Sequence, residues 1–296
     1  MMLVTDTHAH IYSPDEERYP MVEKPLRPPK GTGTIEHLRR EMAANGVKRV
    51  VAIQTTTAYG WDNRFLVDSA KANSSWMVGV CTLDPTDPSS PSLLRRYVHE
   101  FNVRGLRSYP AEVKTKPSLV GTQTASEPEE IQKHLDHPGV EALWATAEEL
   151  GITVNVLIRV DMADELETML RRHPDLRVVL DHCMYPRGKE GLQGETIQRV
   201  LYLARYPNLY AKLTWLVDSS DTDYPFTDTY PLLWAVIRAY GPERCVWGSD
   251  FPCELWTPKA TYAQHLTLFT QALGLSEGEK QEILAYTPGR LWFGEE

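Results

Sequence analysis

Leu3-Val4-Thr5-Asp6-Thr7-His8-Ala9-His10 is the stretch whose reading decides the fold of this chain. A short apolar run ends in two histidines one residue apart, the pattern of a strand that buries its length and presents polar groups at its C-terminal end. On a strand, residues two apart share a face, so His8 and His10 project together with Asp6 behind them. Two neutral imidazoles converging in this way suit a shared divalent ion or the polarisation of a bound carbonyl. With nine histidines in 296 residues, chance alone supplies about 0.3 such pairs per chain. The pair therefore carries weight only if the rest of the chain brings partners to the same place.

Outward from that stretch, short apolar runs alternate with helical patterns to the end of the chain. Strands are predicted at 49–54, 76–83, 103–107, 152–158, 177–181, 209–213 and 245–248. Helices are predicted at 34–44, 62–73, 92–101, 140–150, 162–172, 195–205 and 230–240, with two more at 261–273 and 277–285. Thr34 suits a helix cap, and Asn45-Gly46 a helix end. Residues 12–33 form a loop rich in proline and charge, and 108–139 a long irregular insertion of the kind that is usually functional or disordered. Alternating strands and helices imply parallel strands with right-handed crossovers. With the opening strand the count is eight, which in this length predicts a (β/α)8 TIM barrel rather than a doubly wound sheet. No linker or repeat divides it, so residues 1–296 read as a single domain.

Composition narrows the function. A hydrophobic share of 42% and a charged share of 24% are those of an ordinary globular protein. A net charge of −9 argues against nucleic acid as a partner, which requires a basic face. Cys81, Cys183, Cys245 and Cys253 show no CxxC spacing and read as thiols in a reducing compartment. The chain carries no basic-then-apolar leader and no apolar run of about 18 residues, so a cytoplasmic protein with no membrane partner is expected.

In such barrels the chemistry stands at the C-terminal ends of the strands. Here those ends carry His8 and His10, Gln54 and Thr55, Arg107 and Tyr109, Asp181 and His182, Lys212 and Thr214, and finally Ser249 and Asp250. Tyr59, Trp61 and Trp215 follow closely. Each has a plainer reading: Asp250 as a turn cap, Lys212 as a buried ion pair, Arg107 as the partner of an acidic loop, and the aromatics as packing. Three histidines and one aspartate at three strand ends point instead to a common site. His37, His99, His134, His137, His173 and His265 read as surface residues.

Asp6-Thr7-His8-Ala9-His10, Val178-Val179-Leu180-Asp181-His182 and Trp247-Gly248-Ser249-Asp250-Phe251-Pro252 resemble the amidohydrolase superfamily. The similarity is greatest to its amidohydrolase-related lactonases, which include 2-pyrone-4,6-dicarboxylate lactonase and sulfomuconolactone hydrolase. Segments 51–63, 103–107, 209–214 and 287–292 extend the likeness over nearly the whole chain. The resemblance implies a metal-dependent-hydrolase type of TIM barrel, with Asp250 as general base and His8, His10 and His182 lining the site. The family's strand-five histidine is missing from Gly151-Ile152-Thr153-Val154-Asn155-Val156-Leu157, and no bridging lysine stands there. A two-metal centre is therefore not expected. One divalent ion, zinc by ligand type, held by His8, His10, Asp250 and His182, and a site with no metal both stay open.

The expected reaction is hydrolysis of a small anionic, carboxylated lactone, with Asp250 and His182 as catalytic groups. Arg107, Tyr109, Tyr59, Lys212 and Trp215 are expected to bind the substrate, and the insertion and the acidic loop 218–228 to act as lids. A metal-dependent decarboxylase of an unsaturated or aromatic carboxylic acid is the alternative; a noncatalytic binding barrel has no need of the histidine–aspartate cluster. The sequence leaves a homo-oligomer open.

Overall fold

The computed structural model describes residues 2–115 and 130–295. Its eight barrel strands are β1 Thr5–Ala9, β2 Arg49–Ile53, β3 Met77–Cys81, β4 Val103–Ser108, β5 Thr153–Val156, β6 Val178–Leu180, β7 Leu209–Lys212 and β8 Cys245–Val246. They lie side by side in chain order, each parallel to the next. The ends of the sheet meet: Thr7 N donates to Trp247 O at 3.1 Å, Asp250 N to His8 O at 2.9 Å and His10 N to Phe251 O at 2.7 Å. These bonds close the barrel, and they run through the two segments that carry the site.

The strands are runs of β-branched and small residues because both faces are buried. Val51, Ile53, Val78, Val80, Val179 and Val246 pack inside the barrel over Leu291 and Trp292. Val50, Ala52, Met77 and Cys81, one residue out of phase, join the larger core beneath the helices. The C-terminal helix Thr287–Trp292 supplies the floor, so chemistry is left to the opposite rim.

Several expectations are corrected. The insertion after β4 is not irregular throughout, since Ala111–Thr115 and Glu130–His134 pair as an antiparallel ribbon; residues 116–129 lie outside the described part. The loop after β2 contains a turn of helix, Thr56–Tyr59. The two terminal helices are shorter than predicted, with wider turns at Leu268–Ala272 and Glu282–Tyr286, and a third helix follows them. The acidic loop is tied down by Asp228, which accepts from Thr222 Oγ1 at 2.8 Å and Asp221 N at 2.9 Å. His37, His173 and His265 are buried rather than on the surface. His265 accepts from Trp247 Nε1 at 3.2 Å, and His173 bridges Glu141 and Glu148 at 3.0 and 2.9 Å. Among the described residues, no helix is long and apolar enough to cross a membrane.

Candidate active site

The closing bonds bring β1 and the segment after β8 together so tightly that only glycine fits between them. A Cβ on Gly248 would stand 2.6 Å from His8 Cβ and 2.9 Å from His8 N. Asp250 follows at φ 55°, a left-handed conformation that turns its carboxylate over the barrel mouth. Asp6 does not join the histidines as expected. The pairing of β1 shifts between Asp6 and Ala9, and the Asp6 carboxylate instead accepts from Ser249 N at 2.9 Å, Ser249 Oγ at 2.6 Å and Tyr262 OH at 3.0 Å. It thereby fixes the turn that presents Asp250.

His8 Nε2 lies 3.2 Å from His10 Nε2 and 3.4 Å from Asp250 Oδ1, and His10 Nε2 lies 3.7 Å from the same oxygen. Ligands 2.0–2.1 Å from a tetrahedral ion stand about 3.3–3.4 Å apart. The three atoms therefore fit a single small divalent ion, and two imidazoles with one carboxylate suit zinc. His10 Nδ1 donates to Ile53 O at 3.1 Å, which leaves Nε2 bare for a ligand bond. His8 Nδ1 faces Lys212 Nζ at 3.4 Å and Asp181 Oδ1 at 3.9 Å. A proton on Nδ1, on the side of the Asp181 charge, would free His8 Nε2 for an ion. Accepting from Lys212 puts the proton on Nε2, aimed at His10. The donor set thus accommodates an ion and also closes on itself by hydrogen bonds.

His182, expected as a further ligand, is not part of this trio. Its Nδ1 makes a 2.6 Å hydrogen bond with Thr214 Oγ1 and lies 4.0 Å from Asp250 Oδ2. It begins a run of four left-handed residues, His182, Cys183, Met184 and Tyr185, with φ of 54°, 46°, 59° and 58°. None is glycine, so the run is strained. Tyr185 N donates to His182 O at 2.8 Å, and the Tyr185 ring stacks on His182 with centroids 4.6 Å apart.

Beneath the histidines lies a buried charge layer. Asp181 accepts from Arg107 Nε at 3.0 Å and Asn155 Nδ2 at 3.2 Å, and Lys212 Nζ is 2.9 Å away. Burial alone would raise the Asp181 carboxyl, but Lys212 and Arg107 outweigh it and hold it well below the usual carboxylate range. Asp250 goes the other way: burial first, then the charge of Asp218, push it up to about 8. Burial and the Arg107 charge lower His10 to about 3; burial, with Lys212 next, also lowers His8. The site is therefore a set of neutral imidazoles around a carboxylate poised to hold a proton.

The expected substrate residues divide. Arg107 and Lys212 lie inside the charge layer, with Lys212 fully buried 5.4 Å above the Trp292 ring. Arg107 pairs with Asp181 rather than with the acidic loop. Tyr109 hydrogen-bonds Thr56 Oγ1 at 3.1 Å, 5.7 Å from the Arg107 guanidinium, and lines a rim cleft of about 500 Å³ with Trp61, Pro85 and Lys133. Tyr59 is different: its hydroxyl accepts from Ser13 N at 2.7 Å and its ring packs on Phe65. Trp215 is fully buried in the core. Sequence reading passed over Asn155, Tyr185 and Trp256, whose ring lies 5.4 Å from His10. Asn155 sits on β5 within the segment that lacks the family's histidine; Tyr185 and Trp256 had no signal, because their placement depends on left-handed turns and loop return.

An amidohydrolase family model matches residues 5–294. The chain is 26% identical to L-fucono-1,5-lactonase of Burkholderia ambifaria over 211 residues, 71% of this chain and 67% of that protein. It is 23% identical to 4-sulfomuconolactone hydrolase of Hydrogenophaga intermedia over 291 residues, covering 97% and 88%. The solved structure of an amidohydrolase from Burkholderia multivorans with bound zinc superposes with a TM-score of 0.72 at 21% identity, covering 98% of this chain and 99% of that one. A barrel closed through its histidine pair and its strand-eight aspartate, matched from end to end by that family's model, means that the chain belongs to the amidohydrolase family.

Proposed function

We propose that this protein is a hydrolase that opens a small carboxylated lactone, the whole chain serving as one catalytic domain. The observation that carries the reading is the Asp250 carboxylate, 3.4 and 3.7 Å from the His8 and His10 Nε2 atoms and 4.0 Å from His182 Nδ1. Asp250 takes a proton from the attacking water as its oxygen adds to the lactone carbonyl. The ring C–O bond then breaks, and Asp250 returns the proton to the departing alkoxide. A carboxylate raised to about 8 suits both halves of that transfer near neutral pH.

Thr214 donates to His182 Nδ1, which leaves His182 Nε2–H to stabilise the developing oxyanion. Arg107, its Nε fixed on Asp181, has its two terminal nitrogens left for the substrate oxygens, and Tyr109 walls the rim. Lys212 keeps Asp181 charged and so holds Arg107 in place. His8, His10 and Asp250 would hold a zinc ion, which supplies Lewis-acid polarisation of the carbonyl and a lower pKa for water. The names of the relatives, a fuconolactonase and a sulfomuconolactone hydrolase, favour lactone opening.

The test is a panel of carboxylated lactones and aromatic acids followed for acid release and for carbon dioxide. Release of one acid equivalent per ring opened, without carbon dioxide, supports the reading. Release of carbon dioxide from an aromatic acid with every lactone intact overturns it in favour of a decarboxylase.

A further inference from the structure

The cations of the centre are already engaged: Arg107 Nε and Lys212 Nζ lie 3.0 and 2.9 Å from Asp181. An unpaired charge is expensive where it is removed from water. An anionic group on the lactone that stands away from the His8, His10 and Asp250 trio therefore calls for a cation of its own at the rim.

Arg159 meets that requirement. It follows β5 at the catalytic rim, its side chain is exposed, and it pairs with no carboxylate among the described residues. Its guanidinium lies 4.2 Å from the centre of the Tyr185 ring, and that ring in turn stacks on His182 at 4.6 Å and 17°. One tyrosine thus joins an unpaired surface cation to a histidine of the centre. The left-handed run 182–185 is what brings the ring there, which gives its strain a use.

We propose that Arg159 is the residue that binds the carboxylate or sulfonate of the substrate, and that Tyr185 positions it. The inference rests on the lactonase reading and deepens it: Arg107 serves the reacting end of the lactone, while Arg159 selects for an outward-facing anion. A planar guanidinium placed over an aromatic ring by cation–π attraction spends none of its N–H donors there, and so keeps them for two parallel bonds to such a group.

The test compares 5-oxotetrahydrofuran-2-carboxylate with its neutral 2-carboxamide as substrates. For Arg159→Met, the ratio of kcat/KM for the carboxylate over the carboxamide falls at least tenfold, mostly through KM. Arg159→Lys falls between. Tyr185→Phe keeps the wild-type ratio because the ring remains, whereas Tyr185→Leu loses it. Calorimetric binding of glutarate needs no turnover and follows the same order, weakening at least tenfold in Arg159→Met. A ratio and a glutarate affinity unchanged in Arg159→Met overturn the inference, as does an equal loss on both lactones. If the wild-type protein opens neither lactone, the lactonase reading fails on its own, and the glutarate series still decides whether Arg159 binds anions.

Discussion

At the scale of single residues, Asp250 is held in a state that suits reaction better than folding. Its carboxyl is buried and raised to about 8, so the fold favours the neutral form. In protein freed of divalent ions, its contribution therefore lowers stability as pH rises from the ordinary carboxyl range near 4 towards 8. Above about 8 that loss is complete. Asp250→Asn removes the penalty together with the proposed base. Turnover falls by about a thousandfold or more. At pH 9 the ion-free variant is more stable than wild type, by on the order of 2–4 kcal/mol, and at pH 4 the two converge. Melting curves at the two pH values, beside steady-state rates, check both outcomes. Asp181 works in the opposite sense: its depressed carboxyl stays charged through the whole working range and anchors Arg107 and Lys212.

At the scale of elements, the site depends on two tight turns. The first is the approach of the segment after β8 to β1. Gly248→Ala would place a methyl group 2.6 Å from His8 Cβ, against two strands that hold each other by backbone bonds. A loss of about 1–3 kcal/mol in urea unfolding is expected, with a further loss of turnover because His8 is displaced. The second is the left-handed run that begins at His182. Thr214→Val keeps the shape but removes the 2.6 Å bond to His182 Nδ1. Stability falls by about 1 kcal/mol. The rate falls roughly tenfold at unchanged KM if His182 stabilises the oxyanion, since an interaction made only in the transition state is lost.

At the scale of the whole molecule, barrel closure and ion binding are coupled. His8 and His10 come from β1, and Asp250 from the far end of the chain; an ion held by the three would pin the first strand to the last. Such an ion binds the folded chain and not the unfolded one. At a free concentration a hundred times its Kd it adds about 2.7 kcal/mol, or roughly 4–5 °C in Tm. Adding zinc to chelator-treated wild type gives that rise, and His10→Gln abolishes it. Equal melting with and without zinc shows that the self-closed hydrogen-bonded form of the trio is the working one.

The barrel and the members of its rim were legible in the sequence. Strand alternation follows from burial on both faces, a local property of β-branched runs, and the histidine pair and the Gly-Ser-Asp turn mark strand ends by themselves. Strand boundaries blurred where polar rim residues continue the chain past the last ladder bond, as at β6 and β8. The partnerships were decided only in three dimensions. Asp6 binds Ser249 and Tyr262 because the pairing of β1 shifts, His182 leaves the ligand trio for Thr214, and Tyr59 and Trp215 serve packing. Period-two patterning states which face a residue takes, but which partner it meets depends on barrel closure and left-handed turns. Those are set by contacts between residues as far apart as 8 and 250, and no local pattern encodes them.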